Sequence, residues 1–317
     1  ILMINKKDKI FVAGHNGLVG SAIVRKLKEK KFKNIIVIPR KYLNLFNQKN
    51  VENFFKKTKP KNVIIAAAKV GGIKTNNEKV AEFIYENIQI QTNLIHCAFK
   101  YKVKNLIFLG SSCIYPKFSK QPIKEKYLLT SELEKTNEPY AIAKISGVKM
   151  CEYYNKQYNT NFKSLIPTNT FGPNDNYNLV TSHFLPALIR KIYEAKINKK
   201  SHVELWGDKK TKRELIYVDD LAEASIYFLF KKTKKNLIDI GTKKDFIIEY
   251  YAKQIMQILG IKLKINYIQK NLKGTPRKIL DCTVANNLGW RPKVKIDKGI
   301  RLTINDFIKN YKKYTKN

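Results

Sequence analysis

The sequence has no long apolar segment and few cysteines. None of its apolar runs approaches the ~20 residues that a membrane-spanning helix requires. The first residues, ILMINKKDK, lack the long apolar centre of a secretory signal, so we expect a cytoplasmic protein without a membrane partner. The four cysteines, at 97, 113, 151 and 282, show no paired spacing. We therefore expect free thiols in a reducing compartment, with neither a disulfide framework nor a metal site.

Acidic residues and arginine are also scarce. The chain has 25 Asp and Glu against 62 Lys and Arg, a formal net charge of +37, yet only seven of the basic residues are Arg. Recognition of nucleic acid favours the planar guanidinium over the ammonium, and the lysines are scattered along the whole chain. We therefore predict no nucleic-acid partner. The charge favours solubility and attraction of anionic ligands, such as a phosphate-rich small substrate.

Short apolar runs alternate with helical patterns in the first part of the chain. The runs at 9–14, 34–39, 62–68 and 105–110 are almost continuously hydrophobic, which is typical of parallel strands buried on both faces. Segments between them repeat apolar residues at three- and four-residue steps, and 139–159 has the pattern of a long helix with Pro near its start. This order predicts an α/β fold with a Rossmann-like, doubly wound parallel sheet.

The character of the sequence changes after FGPND at 171–175. The loops lengthen, the helical patterns shorten, and strands alternate with basic turns. We predict a nucleotide-binding domain at 1–171 and a smaller, mixed α/β substrate lobe at 172–317. Residues of about 216–241 are expected to return to the main sheet.

A glycine-rich loop follows the first predicted strand. The string VAGHNGLVG places Gly14, Gly17 and Gly20 between that strand and the first helix. Glycines there permit a tight turn and let backbone amides approach a diphosphate at the start of the helix. An ordinary strand-to-helix turn is the simpler alternative, but the position in the first β/α unit favours a dinucleotide cofactor.

The second strand indicates which dinucleotide. It ends in VIPRKY, with Arg40 and no acidic residue. A guanidinium binds a 2′-phosphate well but cannot accept a hydrogen bond from ribose hydroxyls. NADPH/NADP is therefore favoured, with Asn16 as a candidate neighbour. The alternative is that Arg40 is an ordinary solvated charge.

A tyrosine and a lysine stand four residues apart in YAIAK. Tyr140 and Lys144 would share one face of the long helix, where an ammonium lowers the pKa of a nearby phenol and makes it a usable proton donor and acceptor. Tyr-x-x-x-Lys alone is common, but GSSCIYP at 110–116 adds serines at a strand end that can hydrogen-bond a carbonyl. Taken alone, Cys113 and His183 would be structural residues more often than catalytic ones.

The glycine loop, the strand-end serine and Tyr-x-x-x-Lys together resemble the extended short-chain dehydrogenase/reductase family. Within it, six strings in the same order along essentially the whole chain resemble the GDP-L-fucose synthases. They are AAAKVGGI (66–73), FLGSSCIYP (108–116), TNEPYAIAK (136–144), PTNTFGPNDN (167–176), SHFLPALIR (182–190) and GTPRKILD (274–281).

The resemblance implies an NADPH-dependent enzyme that epimerises a GDP-4-keto-6-deoxy sugar at carbons 3 and 5 and reduces it at carbon 4. It implies Tyr140 as the acid that protonates the carbon-4 oxygen, and Lys144 as a ligand of the nicotinamide ribose that also tunes Tyr140. Ser111 is implied to hold the carbonyl. Cys113 is implied as the base that removes the protons next to the ketone, and His183 as the acid that returns one on the other face.

The resemblance further implies substrate-binding residues and a homodimer. Arg213 matches a substrate-contacting arginine of the family with Trp206 alongside, whereas Arg190, Lys191 and Lys278 are candidates for the diphosphate; for each, a solvated charge is the alternative. The homodimer would pack through the long helices near 80–100 and 140–158.

Three departures from the family pattern leave the sugar open. Asn47 stands where Asp is usual, Lys191 where Arg is expected, and the loop at 176–184 differs before His183. One alternative is a reductase-only enzyme acting on a GDP-4-keto-6-deoxy-heptose. Another is a non-catalytic Rossmann protein that binds nucleotides or nucleic acid, against which the Tyr140–Lys144 pair argues.

Overall fold

A six-stranded parallel sheet forms the centre of the computed structural model. The structure describes residues 5–206, 209–268 and 275–316, apart from the side chains of 73, 74 and 206. The strand order is β2-β1-β3-β4-β5-β9, with all neighbours parallel. The strands are β1 (Ile10–Ala13), β2 (Ile35–Ile36), β3 (Asn62–Ile65), β4 (Asn105–Leu109), β5 (Phe162–Pro167) and β9 (Leu237–Ile240). The predicted doubly wound α/β fold is confirmed.

Helices cover both faces of this sheet, and every residue of β1, β3 and β4 is therefore buried. Side chains from α2, α4 and α5 form the core on one face, and α1 and α7 form the core on the other. The helices around the sheet are α1 (Leu18–Glu29), α2 (Gln48–Thr58), α3 (Ile73–Glu78), α4 (Val80–Lys100), α5 (Glu138–Tyr158) and α7 (Val218–Phe230). Helix α5 has Pro139 in its first turn and ends at Tyr158; the next residue, Asn159, has a left-handed φ of 54°, which suits a helix end.

A second group of elements has its own sheets and its own core. A four-stranded sheet contains β6 (Asn169–Phe171), β8 (Lys212–Tyr217), β10 (Asp245–Ile247) and β12 (Arg277–Lys278). Strands β7 (His202–Trp206) and β11 (Lys264–Ile268) pair separately. A cluster of buried aliphatic and aromatic side chains fills this part of the molecule. Its helices are α6 (Phe184–Ile197), α8 (Ile248–Leu259), α10 (Ile296–Lys309) and α11 (Tyr311–Thr315), whereas α9 (Thr283–Asn287) contacts β9.

The chain returns to the main sheet after β8. Helix α7 packs against α1, and β9 pairs in parallel with β5 from Ser164 to Pro167. Residues 216–217 belong to β8 in the second sheet. The two sheets are therefore joined at the end of β8.

The sheet order places a crevice beside β1. The chain passes from β1 to β2 on one side and then crosses to β3 on the other, so the loops after β1 and β3 leave on opposite faces. In open α/β sheets, ligands bind at such a reversal, outside the carboxyl ends of the strands. Within the described part of the chain, no helix is both long enough and apolar enough to cross a membrane.

Candidate active site

The glycine loop after β1 is packed too tightly for side chains at two of its three glycines. Gly14 has a φ of +84°, and a Cβ there would lie 2.6 Å from the backbone nitrogen of Ala67. A Cβ on Gly20 would lie 2.1 Å from the Gly14 oxygen, whereas one on Gly17 would meet that oxygen at an ordinary 3.6 Å. Gly14 and Gly20 are therefore needed to form the loop itself, whereas a side chain at Gly17 would make only an ordinary van der Waals contact.

The start of α1 is suited to an anion. Gly17 precedes the helix, its N–H donates to the Gly14 oxygen at 3.1 Å, and the first turn, LVGS, carries no acidic side chain. The free amides and the positive end of the helix dipole attract a phosphate group. These features fit the diphosphate of a dinucleotide.

Arg40 lies beyond the end of β2 and is exposed. Its guanidinium carbon is 5.1 Å from the centre of the Phe46 ring, and no carboxylate among the described residues lies within ion-pair distance of it. Asn16 is also exposed in the glycine loop. The site therefore offers a guanidinium, but no acidic side chain, to the ribose end of the cofactor, which fits NADP(H).

The loop that follows β6 contacts the glycine loop after β1. Asn174 donates through Nδ2 to the backbone oxygen of Asn16 at 2.8 Å, and its own N–H donates to the Tyr314 hydroxyl at 3.1 Å. The backbone of Asn174 is left-handed, with a φ of 67°. The C-terminal helices thus hold the glycine loop through this one asparagine.

Tyr140 and Lys144 share one face of α5. Lys144 is buried, its Nζ lies 5.8 Å from the centre of the Tyr140 ring, and it donates a hydrogen bond to the Leu109 oxygen at 2.8 Å. Burial lowers the pKa of Lys144 to about 7. The lysine thus packs under the tyrosine, at the end of β4.

The effect on Tyr140 is the reverse of the expectation from spacing. Burial raises the pKa of Tyr140, and the nearby Cys113 raises it further, while a hydrogen bond with Ser111 partly opposes them. The Lys144 ammonium is turned to the Leu109 carbonyl and does not offset the burial. Tyr140 is therefore protonated at neutral pH and can act as a proton donor.

Ser111 and Cys113 lie directly after the end of β4. Ser111 precedes a short 3₁₀ turn at Ser112–Ile114, and its hydroxyl accepts from the Cys113 N–H at 3.3 Å. The same serine lies close enough to the Tyr140 hydroxyl to lower its pKa. Two hydroxyl groups are therefore neighbours at this point, as binding of a carbonyl oxygen requires.

Two donors surround the Cys113 thiol, which is half-buried. Lys278 Nζ lies 3.5 Å from Cys113 Sγ, and Asn137 Nδ2 lies 3.6 Å from it. An ammonium and an amide at these positions stabilise the negative charge of a thiolate. Lys278, which the sequence offered as a candidate for the diphosphate, thus contacts the thiol.

Sequence reasoning missed Asn137. It immediately precedes α5, three residues before Tyr140 in the string TNEPY, and that position was the available signal. Its amide reaches the thiol because the start of α5 packs against the 3₁₀ turn that carries Cys113.

His183 lies near Lys278. It immediately precedes α6, and its residue surface is exposed. Desolvation by the surrounding protein, followed by the charge of Lys278, lowers the pKa of His183. The loop before it is held by the Gly72 N–H, which donates to the Thr181 oxygen at 2.9 Å. Lys278 is therefore the common neighbour of His183 and Cys113.

The remaining predicted substrate ligands fall into two groups. Arg213 is the register partner of Lys278 between β8 and β12, and it donates to the Lys212 oxygen at 2.7 Å. Arg190 pairs with Glu194 at 2.7 Å, and Lys191 donates to a backbone oxygen of β7 at 3.3 Å, so these two contact neighbours in the second sheet's region. The Trp206 side chain lies outside the described part of the structure. In the described residues, no group of three or more His, Cys, Asp or Glu side chains is placed to hold a metal.

Comparison with known proteins identifies the family to which this chain is similar. Residues 10–241 match the family described as "NAD dependent epimerase/dehydratase family". GDP-L-fucose synthase 1 of Arabidopsis thaliana is 48% identical over 97% of this chain and 95% of its own length.

Two solved structures have a similar fold. A GDP-L-fucose synthetase from Naegleria fowleri bound to NADP superposes with a TM-score of 0.91 at 26% identity, covering 99% of this chain and 97% of its own. A GDP-6-OMe-4-keto-L-xylo-heptose reductase from C. jejuni superposes with a TM-score of 0.90 at 33% identity, covering 97% of this chain and 99% of its own.

Proposed function

Since the chain belongs to the NAD dependent epimerase/dehydratase family and, within it, to the GDP-L-fucose synthases, we propose that it reduces a GDP-4-keto-6-deoxy sugar at carbon 4 and epimerises it at carbons 3 and 5. The cofactor is NADP(H), which the glycine loop and Arg40 are built to hold. One observation carries the proposal: the Ser111 and Tyr140 hydroxyls and the Cys113 thiol, with its Lys278 ammonium, meet at one edge of the sheet.

The reduction depends on the paired hydroxyls. Bound NADPH supplies a hydride to the carbonyl carbon. Ser111 and Tyr140 donate hydrogen bonds to the carbonyl oxygen, and the protonated Tyr140 transfers its proton to that oxygen as the negative charge develops. Lys144, buried beneath the tyrosine, binds the nicotinamide ribose in this proposal.

The epimerisation uses the same oxygen site. A Cys113 thiolate removes a proton from the carbon next to the ketone, and the hydroxyls that hold the carbonyl stabilise the enolate oxygen. Lys278 and Asn137 stabilise the thiolate before the transfer. His183 delivers a proton to the opposite face of the ring, which inverts the carbon.

The structural neighbour from C. jejuni supports a second candidate, a reductase of a GDP-4-keto-6-deoxy-heptose without epimerase activity. The donors around Cys113 favour the first candidate, because a plain reductase has no need for a stabilised thiolate.

The deciding experiment supplies GDP-4-keto-6-deoxy-mannose and the matching heptose in heavy water with NADPH. We expect deuterium at carbons 3 and 5 of the reduced hexose. Reduction of either sugar without any exchange would leave a reductase alone, and absence of reduction with both would overturn the proposal.

We also propose a homodimer and a cytoplasmic location. Exposed apolar side chains on the two long helices support the dimer, among them Tyr85 on α4 and Ile142 and Tyr153 on α5, which are 64%, 41% and 55% exposed. The four free cysteines suit a reducing compartment. Sedimentation would test the dimer: a Tyr85→Lys, Tyr153→Lys variant should be a monomer, whereas an unchanged mass would exclude this interface.

A further inference from the structure

Glu214 lies in β8 next to Arg213 and is completely buried. Its Oε1 atom accepts hydrogen bonds from the N–H groups of Thr242 and Lys243, and its Oε2 atom accepts from the Leu280 N–H at 2.8 Å. One carboxylate therefore binds two segments that are far apart in sequence. The first follows β9 of the main sheet, and the second follows β12.

The surrounding backbone leaves room for this carboxylate. A Cβ on Gly241 would lie 2.5 Å from Glu214 Oε1, so the chain approaches the carboxylate more closely than a side chain would allow. Hydrogen bonds from backbone amides to a carboxylate are about twice as strong as those between neutral groups. The Glu214 carboxylate thus joins the segment after β9 to the segment after β12, and we call this arrangement the clamp.

The second clamped segment carries Lys278. Strand β12 has only two residues, Arg277 and Lys278. Arg277 is held by Asp245 at 2.6 Å. Ile123 exchanges backbone hydrogen bonds with Ile279 and Asp281. On its far side the segment is bound through the Ile279 N–H to Gln121 Oε1 at 2.9 Å. On the β8 side, Glu214 holds Leu280, two residues beyond the lysine.

We propose that Glu214 is a positioning residue that holds the Lys278 ammonium against the Cys113 thiol and so sets the rate of proton transfer next to the ketone. The inference rests on the proposed function for its catalytic consequence. The geometric part, from Glu214 through Leu280 to Lys278 and Cys113, is independent of it.

Glu214→Gln is the sharpest test because it conserves size and removes one acceptor. An amide has an oxygen at one end and an NH₂ group at the other. In one orientation the NH₂ faces the Leu280 N–H, and in the other it faces the Thr242 and Lys243 N–H groups. Either way a donor meets a donor, and one arm of the clamp is released.

The readout is alkylation of Cys113 by iodoacetamide as a function of pH, followed by mass spectrometry of that peptide. Besides Lys278, the titratable groups facing this thiol are Tyr140 and, through the lysine, His183. At neutral pH we expect Cys113 of Glu214→Gln to be alkylated about tenfold more slowly than that of the wild type, because the Lys278 ammonium no longer lies against the thiol. Deuterium exchange next to the ketone should slow by a similar factor.

Asp220→Asn is the matched control. The buried Asp220 carboxylate clamps the N–H groups of Lys293 and Val294 at 3.0 and 2.9 Å in the same manner, but it has no bond to the segment that carries Lys278. If a general loss of stability caused the effect, Asp220→Asn would shift the alkylation profile as well. An equal shift in both variants would overturn the proposal.

Lys278→Met removes the ammonium altogether and therefore shows the largest change in Cys113 alkylation that loss of this contact can cause. Because Glu214 is inferred to act through Lys278, the double variant should alkylate as Lys278→Met does, without a further change. Additive shifts would show that Glu214 acts by another route and would refute the inference.

If Glu214→Gln fails to fold, Glu214→Asp is the second variant, because it keeps the charge but is too short to reach both clamped segments. We expect it to change the alkylation of Cys113 by an intermediate amount. Wild-type alkylation in a folded Glu214→Asp would count against the clamp. If wild type shows no deuterium exchange while the alkylation shift persists, the proposed epimerisation fails and the positioning role stands.

Discussion

Lys278 Nζ lies 3.5 Å from Cys113 Sγ although the two residues are 165 positions apart. The thiol comes from the end of a main-sheet strand, and the ammonium comes from the second sheet. The cation that stabilises a thiolate is therefore present only when the two sheets are packed together.

Replacing Tyr140 should remove the reduction. Tyr140→Phe deletes the proton donor and one of the two hydroxyls at the carbonyl, so NADPH oxidation should fall by about 100-fold or more. NADPH binding, measured by fluorescence, should persist because the glycine loop is untouched. Tyr153→Phe, on the exposed side of the same helix, is the control and should retain full turnover. Undiminished oxidation in Tyr140→Phe would refute its role.

Cys113→Ser should separate the two reactions. A serine hydroxyl is far less acidic than a thiol, so exchange of deuterium at carbons 3 and 5 should fall by about 100-fold or more. Reduction of a substrate that is already epimerised should continue, because Ser111 and Tyr140 remain. Nuclear magnetic resonance of the product in heavy water measures both, and exchange at the wild-type rate would exclude Cys113 as the base.

Arg40 should determine the choice between the two nicotinamide cofactors. Arg40→Ser removes the guanidinium offered to the 2′-phosphate, so the KM for NADPH should rise about tenfold, equivalent to ~1.4 kcal/mol, while the KM for NADH should change little. Arg301→Ser, an exposed arginine on α10, is the matched control for loss of charge. Equal effects on both cofactors would argue against a 2′-phosphate site.

The glycines of the cofactor loop should respond differently to alanine. Gly20→Ala places a Cβ within 2.1 Å of a backbone oxygen and should unfold the loop, with loss of several kcal/mol of stability and of NADPH binding. Gly17→Ala meets the same oxygen at 3.6 Å and should fold normally. Thermal unfolding tests the first statement, and the NADPH affinity of folded Gly17→Ala tests whether the cofactor passes over this residue.

Stability should fall as pH rises from about 4 to about 7. Burial raises the pKa of Asp175 to about 7, so its carboxyl binds more protons in the folded state than in the unfolded state across this window. Each pH unit then costs up to ~1.4 kcal/mol. Asp175→Asn should flatten the slope seen in urea unfolding, and an unchanged slope would contradict the assignment.

The sheet was predictable because its strands are apolar on both faces. The runs that contain β1, β3 and β4 are hydrophobic without interruption, and this pattern follows from burial alone. The strand-end serine and the helical Tyr140–Lys144 pair were predictable because they depend on neighbours in sequence.

The contacts that tune the site were less predictable. Two-residue β12 has no periodicity to detect, so its delivery of Lys278 to the thiol depends on the register with β8. The direction of the Tyr140 pKa shift was expected wrongly, because spacing shows which groups are neighbours but not how much water the fold removes. The hydrogen bonds of Asn137 and Glu214 join segments that are distant in sequence, which no local pattern records.

The bond from Asn174 to the backbone of Asn16 has a consequence for how such an enzyme acquires a new substrate. The loop that contains Asn174 leads to His183, the proposed proton donor, so the chain beside the proposed sugar site also supports the cofactor loop. A replacement loop that admits a larger sugar would therefore also have to keep the hydrogen bond from residue 174 to the Asn16 oxygen. A change in this loop is thus expected to alter both the substrate range and the affinity for the cofactor.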